Sequence, residues 1–188
     1  MTRLWLVRHG PTHAKGMVGW TDLPADLSDT AAIARLAAHL PADAPVISSD
    51  LHRARATADA ISGNRPRLAH DRDLRELHFG AWEMLRHDEI PDQAHARRFW
   101  DEPGDLAPPD GESWNRLQAR VSGVIDRLVA TRAPDVIIVC HFGVILSQLQ
   151  RAQGGTAFQA FGHRIDPLSV TCLSLGPPAQ VHAINHLP

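Results

Sequence analysis

The chain contains no tyrosine, one lysine and two cysteines among its 188 residues. The first absence removes tyrosyl nucleophiles and acids from consideration. Lys15 does not stand in a G-x-x-x-x-G-K-S/T setting, which excludes a P-loop, and Schiff-base chemistry would have to rest on that one residue. Cys140 and Cys172 are too few for a disulfide framework or a cysteine-rich zinc site. No stretch approaches the roughly 18 consecutive apolar residues of a membrane span. The apolar run inside the N-terminal MTRLWLVRHG is too short for a secretory signal. A soluble, cytoplasmic protein is the expectation. Its formal net charge of -2 gives no general attraction to nucleic acid or to an anionic membrane, so neither is expected as a partner. Anion binding must come from a local grouping of basic side chains. The composition leaves the oligomeric state undefined.

What is present is a globular pattern: 44% hydrophobic and 21% charged residues can build a core in one domain spanning 1–188. Strands are predicted at Arg3 to Val7, Pro45 to Ser49, Asp135 to Cys140, Ser169 to Leu175 and Val181 to Asn185, with a further short one at Arg67 to Ala69. Helices are predicted after Ser28 as N-cap, from Leu51 to Ile61, weakly from Arg86 to Arg98, from Glu112 to Arg132 and from Val144 to Leu149. The proline- and glycine-rich Asp101 to Gly111 reads as a surface loop, and 86–111 is long enough to act as a lid or insertion. Strand-helix alternation with β-branched buried strands predicts a three-layer α/β/α sandwich around a mostly parallel sheet.

Ligands in such sheets lie beyond the carboxyl ends of the strands. Arg8, His9, Gly10 and Thr12 follow the first strand, Arg53 falls in the helical turn after the second, and His141, Phe142 and Gly143 follow the DVIIVC strand. Two histidines and two arginines thus arrive at one rim with no carboxylate adjacent in sequence. Such a set would repel itself when empty and suits a polyanion. Arginine offers a rigid fork of donors matched to phosphate oxygens. The Phe142-Gly143 turn opening a helix adds backbone N–H groups and a favourable dipole. These features describe a phosphoryl site that needs no metal. His9 and His13 are four apart, but Gly10-Pro11 prevents the helix that a two-histidine metal face requires.

Five ordered segments carry a family resemblance over nearly the whole chain. They are Leu6-Val7-Arg8-His9-Gly10 with Thr12; Ser49-Asp50-Leu51 through Arg53, Ala54, Thr57 and Ala58; Leu74-Arg75-Glu76 through Phe79-Gly80 and Trp82-Glu83; Pro109 through Ser113; and Val139-Cys140-His141 with Gly143-Val144-Ile145. Together they resemble the histidine phosphatase superfamily, the phosphoglycerate mutase-like group, and in particular its phosphatase branch with α-ribazole phosphatase-type members. The resemblance implies His9 as nucleophile, Arg8, Arg53 and His141 as phosphate clamps, and Glu76 as acid and then base. It also implies secondary phosphate contacts from Thr12 and from the backbone at Phe142, with no cofactor. The chain departs from the pattern at Lys15, Phe142, Leu146 and Met84, which bears on substrate rather than on the core chemistry.

The expected function is a metal-independent phosphomonoester hydrolase working through a phosphohistidine on a small phosphorylated metabolite, α-ribazole phosphate being one candidate. Alternatives are a protein phosphohistidine phosphatase, mutase-type phosphoryl transfer with Arg97-Arg98 recognising a carboxylate, and a non-catalytic phospho-ligand-binding module. Taken singly, each residue has an ordinary structural explanation: Arg53 as a solvated helix residue, Glu76 in competition with Glu83, Asp73 and Asp71, and His13, His39, His52, His70, His78, His87 and His95 as surface or packing residues. Trp82, Trp100 and Trp114 could line a substrate mouth or pack, with Trp114 expected to pack. Cys140 at the end of a buried strand reads as an inert small hydrophobe.

Overall fold

In the computed structural model, which describes residues 1–188, five strands form one sheet: β1 (Arg3–Arg8), β2 (Val46–Ser48), β3 (Asp135–Cys140), β4 (Val170–Ser174) and β5 (Gln180–His186). Six α-helices accompany them: α1 (Thr30–His39), α2 (His52–Ser62), α3 (Gln93–Asp101), α4 (Trp114–Ala130), α5 (Phe142–Gln153) and α6 (Ala157–Phe161). The sheet order is β2-β3-β1-β4-β5. Side chains alternate across each strand, so both faces of β1 and β3 must be covered if their runs are wholly apolar. Leu4, Leu6, Val136 and Ile138 face α4 and α5 through Leu117, Val121, Ile125 and Ile145. Val7, Ile137 and Val139 face α1 and α2 through Leu36, Leu40, Ala54, Ala58 and Ile61. The predicted three layers are present.

The sheet is mixed rather than mostly parallel. β1 with β3 and β2 with β3 pair parallel, whereas β1 with β4 and β4 with β5 pair antiparallel. Parallel neighbours need a crossover of a dozen or more residues, and the five residues between β4 and β5 can make only a hairpin. The half that carries the strand ends of interest is the parallel half. Other departures are local. The N-cap of α1 is Asp29, whose carboxylate accepts from Ala32 N–H at 2.9 Å, while Ser28 N–H is held by Asp26. Arg67 contributes one isolated bridge to Val46 rather than a strand. The weak helix of the middle segment starts later, at Gln93, and α6, too short for a periodicity signal, was not anticipated. Within 86–111, Ile90, Ala96 and Phe99 are buried in the main core, so the segment is anchored rather than free-standing. No helix is long and apolar enough to cross a membrane.

Arg65 ties the first helical layer together. Its guanidinium donates to Ala37 O, Leu40 O, Pro41 O and Ile61 O at 2.7–2.9 Å, answering carbonyls that the ends of α1 and α2 leave without helical partners. Arg65→Ala should cost about 2 kcal/mol of stability, the scale of charge-assisted hydrogen bonds, seen as a lower denaturation midpoint. The residue lies away from the rim described next, so kcat/KM should be unchanged.

Candidate active site

The parallel register sets the geometry. Arg8 pairs with Cys140, and His9 N–H donates to Cys140 O at 3.1 Å, so the residues just beyond the two strands emerge side by side. The rings of His9 and His141 stand 5.0 Å apart, edge to face. Arg53, one residue into α2, reaches His9 through its Nε, 3.2 Å from His9 Nε2. His9, Arg53 and His141 are all buried. The structure therefore brings His9, Arg53 and His141 together, with the half-buried Arg8 on the strand preceding His9.

The partners of His9 define its proton. Gly10 O, 2.7 Å from Nδ1, can only accept, so Nδ1 carries the hydrogen. Arg53 Nε–H can only donate, so Nε2 presents its lone pair. Gly10 is itself held, because its N–H donates to Thr57 Oγ1 at 3.0 Å while the Thr57 hydroxyl donates to Arg53 O. Burial and then the Arg53 charge push the His9 pKa down to about 3. Burial, followed by His9 and the arginines at 53, 120 and 8, holds His141 well below its ordinary value, and neither of its ring nitrogens has a protein partner. The rim is accordingly less positive than four adjacent cations: two neutral imidazoles sit between two guanidiniums.

The carboxylate expected at the site, distant from the basic residues in sequence, also lies close. Glu76 is buried and its charge acts on both Arg8 and Arg53. Its oxygens accept from Leu77 N–H at 2.9 Å and from Gly143 N–H at 3.0 and 3.2 Å. The N-terminus of α5 thus serves the carboxylate, so Gly143 N–H is not free for the phosphate contact expected of it. Burial raises the Glu76 pKa despite these donors and the nearby arginines. A Cβ at position 143 would stand 2.5 Å from Glu76 Oε1, so the close approach requires glycine. Of the competing carboxylates, Glu83 is engaged elsewhere, Asp71 is paired with Arg127 and Asp73 is exposed. Phe142 places its ring 5.4 Å from the Arg8 guanidinium, and Thr12 lies half-buried in the loop after β1.

The supporting roles of Arg120, Trp20 and Glu83 escaped the sequence reading, which weighed Glu83 only as a competing acid. Arg120 pairs its Nε and Nη2 with Glu112 at 2.7 and 2.8 Å and donates to the carbonyls of Asp73, Arg75 and Glu76, fixing the backbone that carries Glu76. Trp20 Nε1–H reaches the same Glu76 carbonyl at 2.8 Å. Glu83 accepts from Gly19, Trp20, Thr21 and Phe79, and the carbonyls of Gly19 and Thr21 in turn accept from the Arg53 guanidinium. The segments quoted around Glu83 and Glu112 were the available signal, but spacing alone does not reveal what these carboxylates hold. Cys140 is fully buried, and its thiol is pushed far up by desolvation, as expected of an inert residue. No three His, Cys, Asp or Glu side chains are grouped as a metal ion would require.

Comparison with known proteins decides the family. The model of the histidine phosphatase superfamily (branch 1) matches residues 4–184. The chain belongs to that superfamily. It is 33% identical over 153 residues to the adenosylcobalamin/alpha-ribazole phosphatase of Salmonella typhimurium, covering 76% of this chain and 75% of that one. It is 37% identical over 161 residues to the glucosyl-3-phosphoglycerate phosphatase of Mycobacterium tuberculosis, covering 76% and 71%. Among solved structures, Bacillus stearothermophilus YhfR superposes with a TM-score of 0.89 at 28% identity over 100% of this chain and 98% of its own. The alpha-ribazole phosphatase structure from Shigella flexneri gives 0.82 at 25% identity over 98% and 96%. The family resemblance and the expected class, a phosphatase of the histidine phosphatase type, are borne out.

Gly143→Ala should displace the Glu76 carboxylate while leaving the fold intact. Turnover of an alkyl phosphate should drop about a hundredfold, the cost of misplacing a reacting group by about 1 Å. Wild-type kcat in this variant would remove Glu76 from the chemistry.

Proposed function

We propose that this histidine phosphatase hydrolyses phosphomonoesters of small metabolites without a metal, through a phosphohistidine on His9. The observation that carries this reading is the forced tautomer of His9: Nδ1–H is anchored to Gly10 O, and the lone pair of Nε2 lies among the donors that would bind a phosphoryl group. Arg8, Arg53 and His141 would hold the equatorial oxygens, where transition-state charge resides. Neutral histidine with a suppressed pKa is the form that can attack phosphorus. The unpartnered nitrogens of His141 support its role as a phosphate ligand, since buried polar atoms ordinarily find partners. Thr12 and the Phe142 backbone would serve as secondary contacts.

In the first step Nε2 attacks phosphorus, the P–O bond to the alcohol breaks, and Glu76 gives its proton to the departing oxygen. In the second, Glu76 takes a proton from water, the resulting hydroxide oxygen bonds phosphorus, and the P–N bond breaks to return neutral His9. A carboxyl whose pKa is raised by burial suits both halves, because it is protonated when acid is needed and basic afterwards. The relatives, an adenosylcobalamin/alpha-ribazole phosphatase and a glucosyl-3-phosphoglycerate phosphatase, favour phosphorylated metabolites over phosphoproteins. Segment 86–111, anchored over the core through Ile90, Ala96 and Phe99, would act as a cover that favours small substrates.

Hydrolysis of a generic aryl phosphate should persist in excess chelator, and loss of activity on chelation would assign the reaction to a metal. His9→Ala should lower kcat by roughly a thousandfold or more, as for other covalent nucleophiles, with no phosphate trapped on the protein in a rapid quench. For pH, protonation of His9 sets in near 3, so the nucleophile stays neutral across the working range. Activity should decline on the alkaline side as Glu76 loses its proton, and Glu76→Gln should abolish that decline. The same variant should slow alkyl phosphates far more than nitrophenyl phosphate; equal losses would place the acid elsewhere.

A further inference from the structure

Three consecutive residues, Gly19, Trp20 and Thr21, touch both halves of the site. The carbonyls on either side of Trp20 accept from Arg53, Gly19 O from Nη2 at 2.6 Å and Thr21 O from Nη1 at 2.9 Å. The indole between them donates from Nε1 to the Glu76 carbonyl at 2.8 Å. Five donors around this loop end on one carboxylate. The N–H groups of Gly19, Trp20, Thr21 and Phe79 and the Thr21 hydroxyl all reach Glu83 oxygens at 2.7–3.3 Å. The approach is close enough that a Cβ on residue 19 would collide with Leu77 O and Glu83 Oε1, so the position admits only glycine.

The duty of this loop changes during the reaction proposed above. A guanidinium carries five N–H groups. In the resting site Nε–H goes to His9 and one hydrogen from each terminal nitrogen goes to a loop carbonyl, which leaves two for phosphoryl oxygens. Attack by His9 Nε2 turns its lone pair into the N–P bond, so Arg53 Nε–H loses that acceptor and must turn to a phosphoryl oxygen. Of the three protein acceptors, only Gly19 O and Thr21 O then remain. In the second step Glu76 activates water against a phosphoryl group held by the same guanidinium, so the spacing of clamp and carboxyl must survive the loss of the His9 contact. The Gly19–Thr21 loop spans that spacing, gripping Arg53 with its carbonyls and the Glu76 backbone with its indole.

We propose that Glu83 is a positioning residue which, by ordering the Gly19–Thr21 loop, sets the phosphate clamp at Arg53 and the acid at Glu76 relative to each other. The proposal rests on the phosphatase reading above and adds the residue that couples its two working groups. Trp20 carries the arm toward Glu76, and Thr21 carries the arm toward Arg53.

Three variants separate the arms, read by kcat/KM for ethyl phosphate and nitrophenyl phosphate and by the inhibition constant of inorganic phosphate. Trp20→Phe deletes the bond to Glu76 O and keeps both loop carbonyls, so the alkyl-to-aryl rate ratio should fall severalfold with phosphate inhibition unchanged. Thr21→Val deletes one donor to Glu83 and should weaken phosphate inhibition severalfold with the ratio unchanged. Glu83→Gln should do both, each by about tenfold, within the range for reacting groups misplaced by up to about 1 Å. In a Glu76→Gln background, Trp20→Phe should no longer alter the ratio. A Glu83→Gln enzyme that is only less stable, with wild-type ratio and inhibition constant, overturns the proposal, as does a Trp20→Phe effect that persists without the Glu76 carboxyl. Should Glu83→Gln not fold, an unchanged ratio in Trp20→Phe together with unchanged inhibition in Thr21→Val overturns it. Each of these results leaves the phosphatase reading standing, whereas wild-type inertness toward both esters would overturn both.

Discussion

The hydrogen bond from Arg53 Nε to His9 Nε2 organises the rim. A guanidinium cannot give up its proton in a protein, so its approach requires the imidazole to present a lone pair. That requirement sends the ring hydrogen to Nδ1 and so to Gly10 O, and it keeps His9 neutral in a buried setting where an imidazolium would be costly. Because one contact specifies tautomer, orientation and charge state, the residues that hold its two ends matter more than their distance from the reacting atoms suggests. On one side Thr57 bonds both Gly10 N–H and Arg53 O. On the other, Glu83 fixes the loop whose carbonyls grip the Arg53 guanidinium.

A second chain of support runs to Glu76. Its carboxyl is held by the first turn of α5, its carbonyl by Trp20 and Arg120, and Arg120 by Glu112. The two chains of support meet in the Gly19–Thr21 loop, whose carbonyls grip Arg53 while Trp20 Nε1–H holds the Glu76 carbonyl. This arrangement keeps a buried carboxyl with a raised pKa near two arginines without collapsing it into a salt bridge. Backbone N–H donors satisfy its oxygens first, and no ion pair within 4.0 Å forms between Glu76 and either guanidinium. A fully ion-paired carboxylate would have had its pKa lowered and would be a poor proton donor.

Much of this was legible in the chain. The alternation of apolar strands and amphipathic helices located all five principal strands and four of the six α-helices to within a few residues, with α3 starting seven residues later than expected, because buried runs such as DVIIVC and stripes such as Leu117-Val121-Val124-Leu128 reflect local periodicity. His9 and His141 could be placed because each directly follows a strand end. The mixed sheet was not legible: a strand's direction depends on how its connection crosses the sheet, and the polar β5 carries no mark of its partner. The two faces of Phe142 and Gly143 were also ambiguous, since a helix N-terminus attracts either a substrate phosphate or a carboxylate of the protein itself, and the sequence does not say which arrives first.

Residue identity by itself determined the layer architecture, the family pattern and the chemical types available at the rim, because those follow from spacing and from which groups can donate, accept or attack. Tertiary structure decided the tautomer of His9, the neutrality of both histidines, the use of Gly143 N–H by Glu76, and the loop that Arg53 and Glu76 share. Each of these depends on distances of about 3 Å to 5 Å between segments that lie tens of residues apart, and on burial that only the packed chain creates.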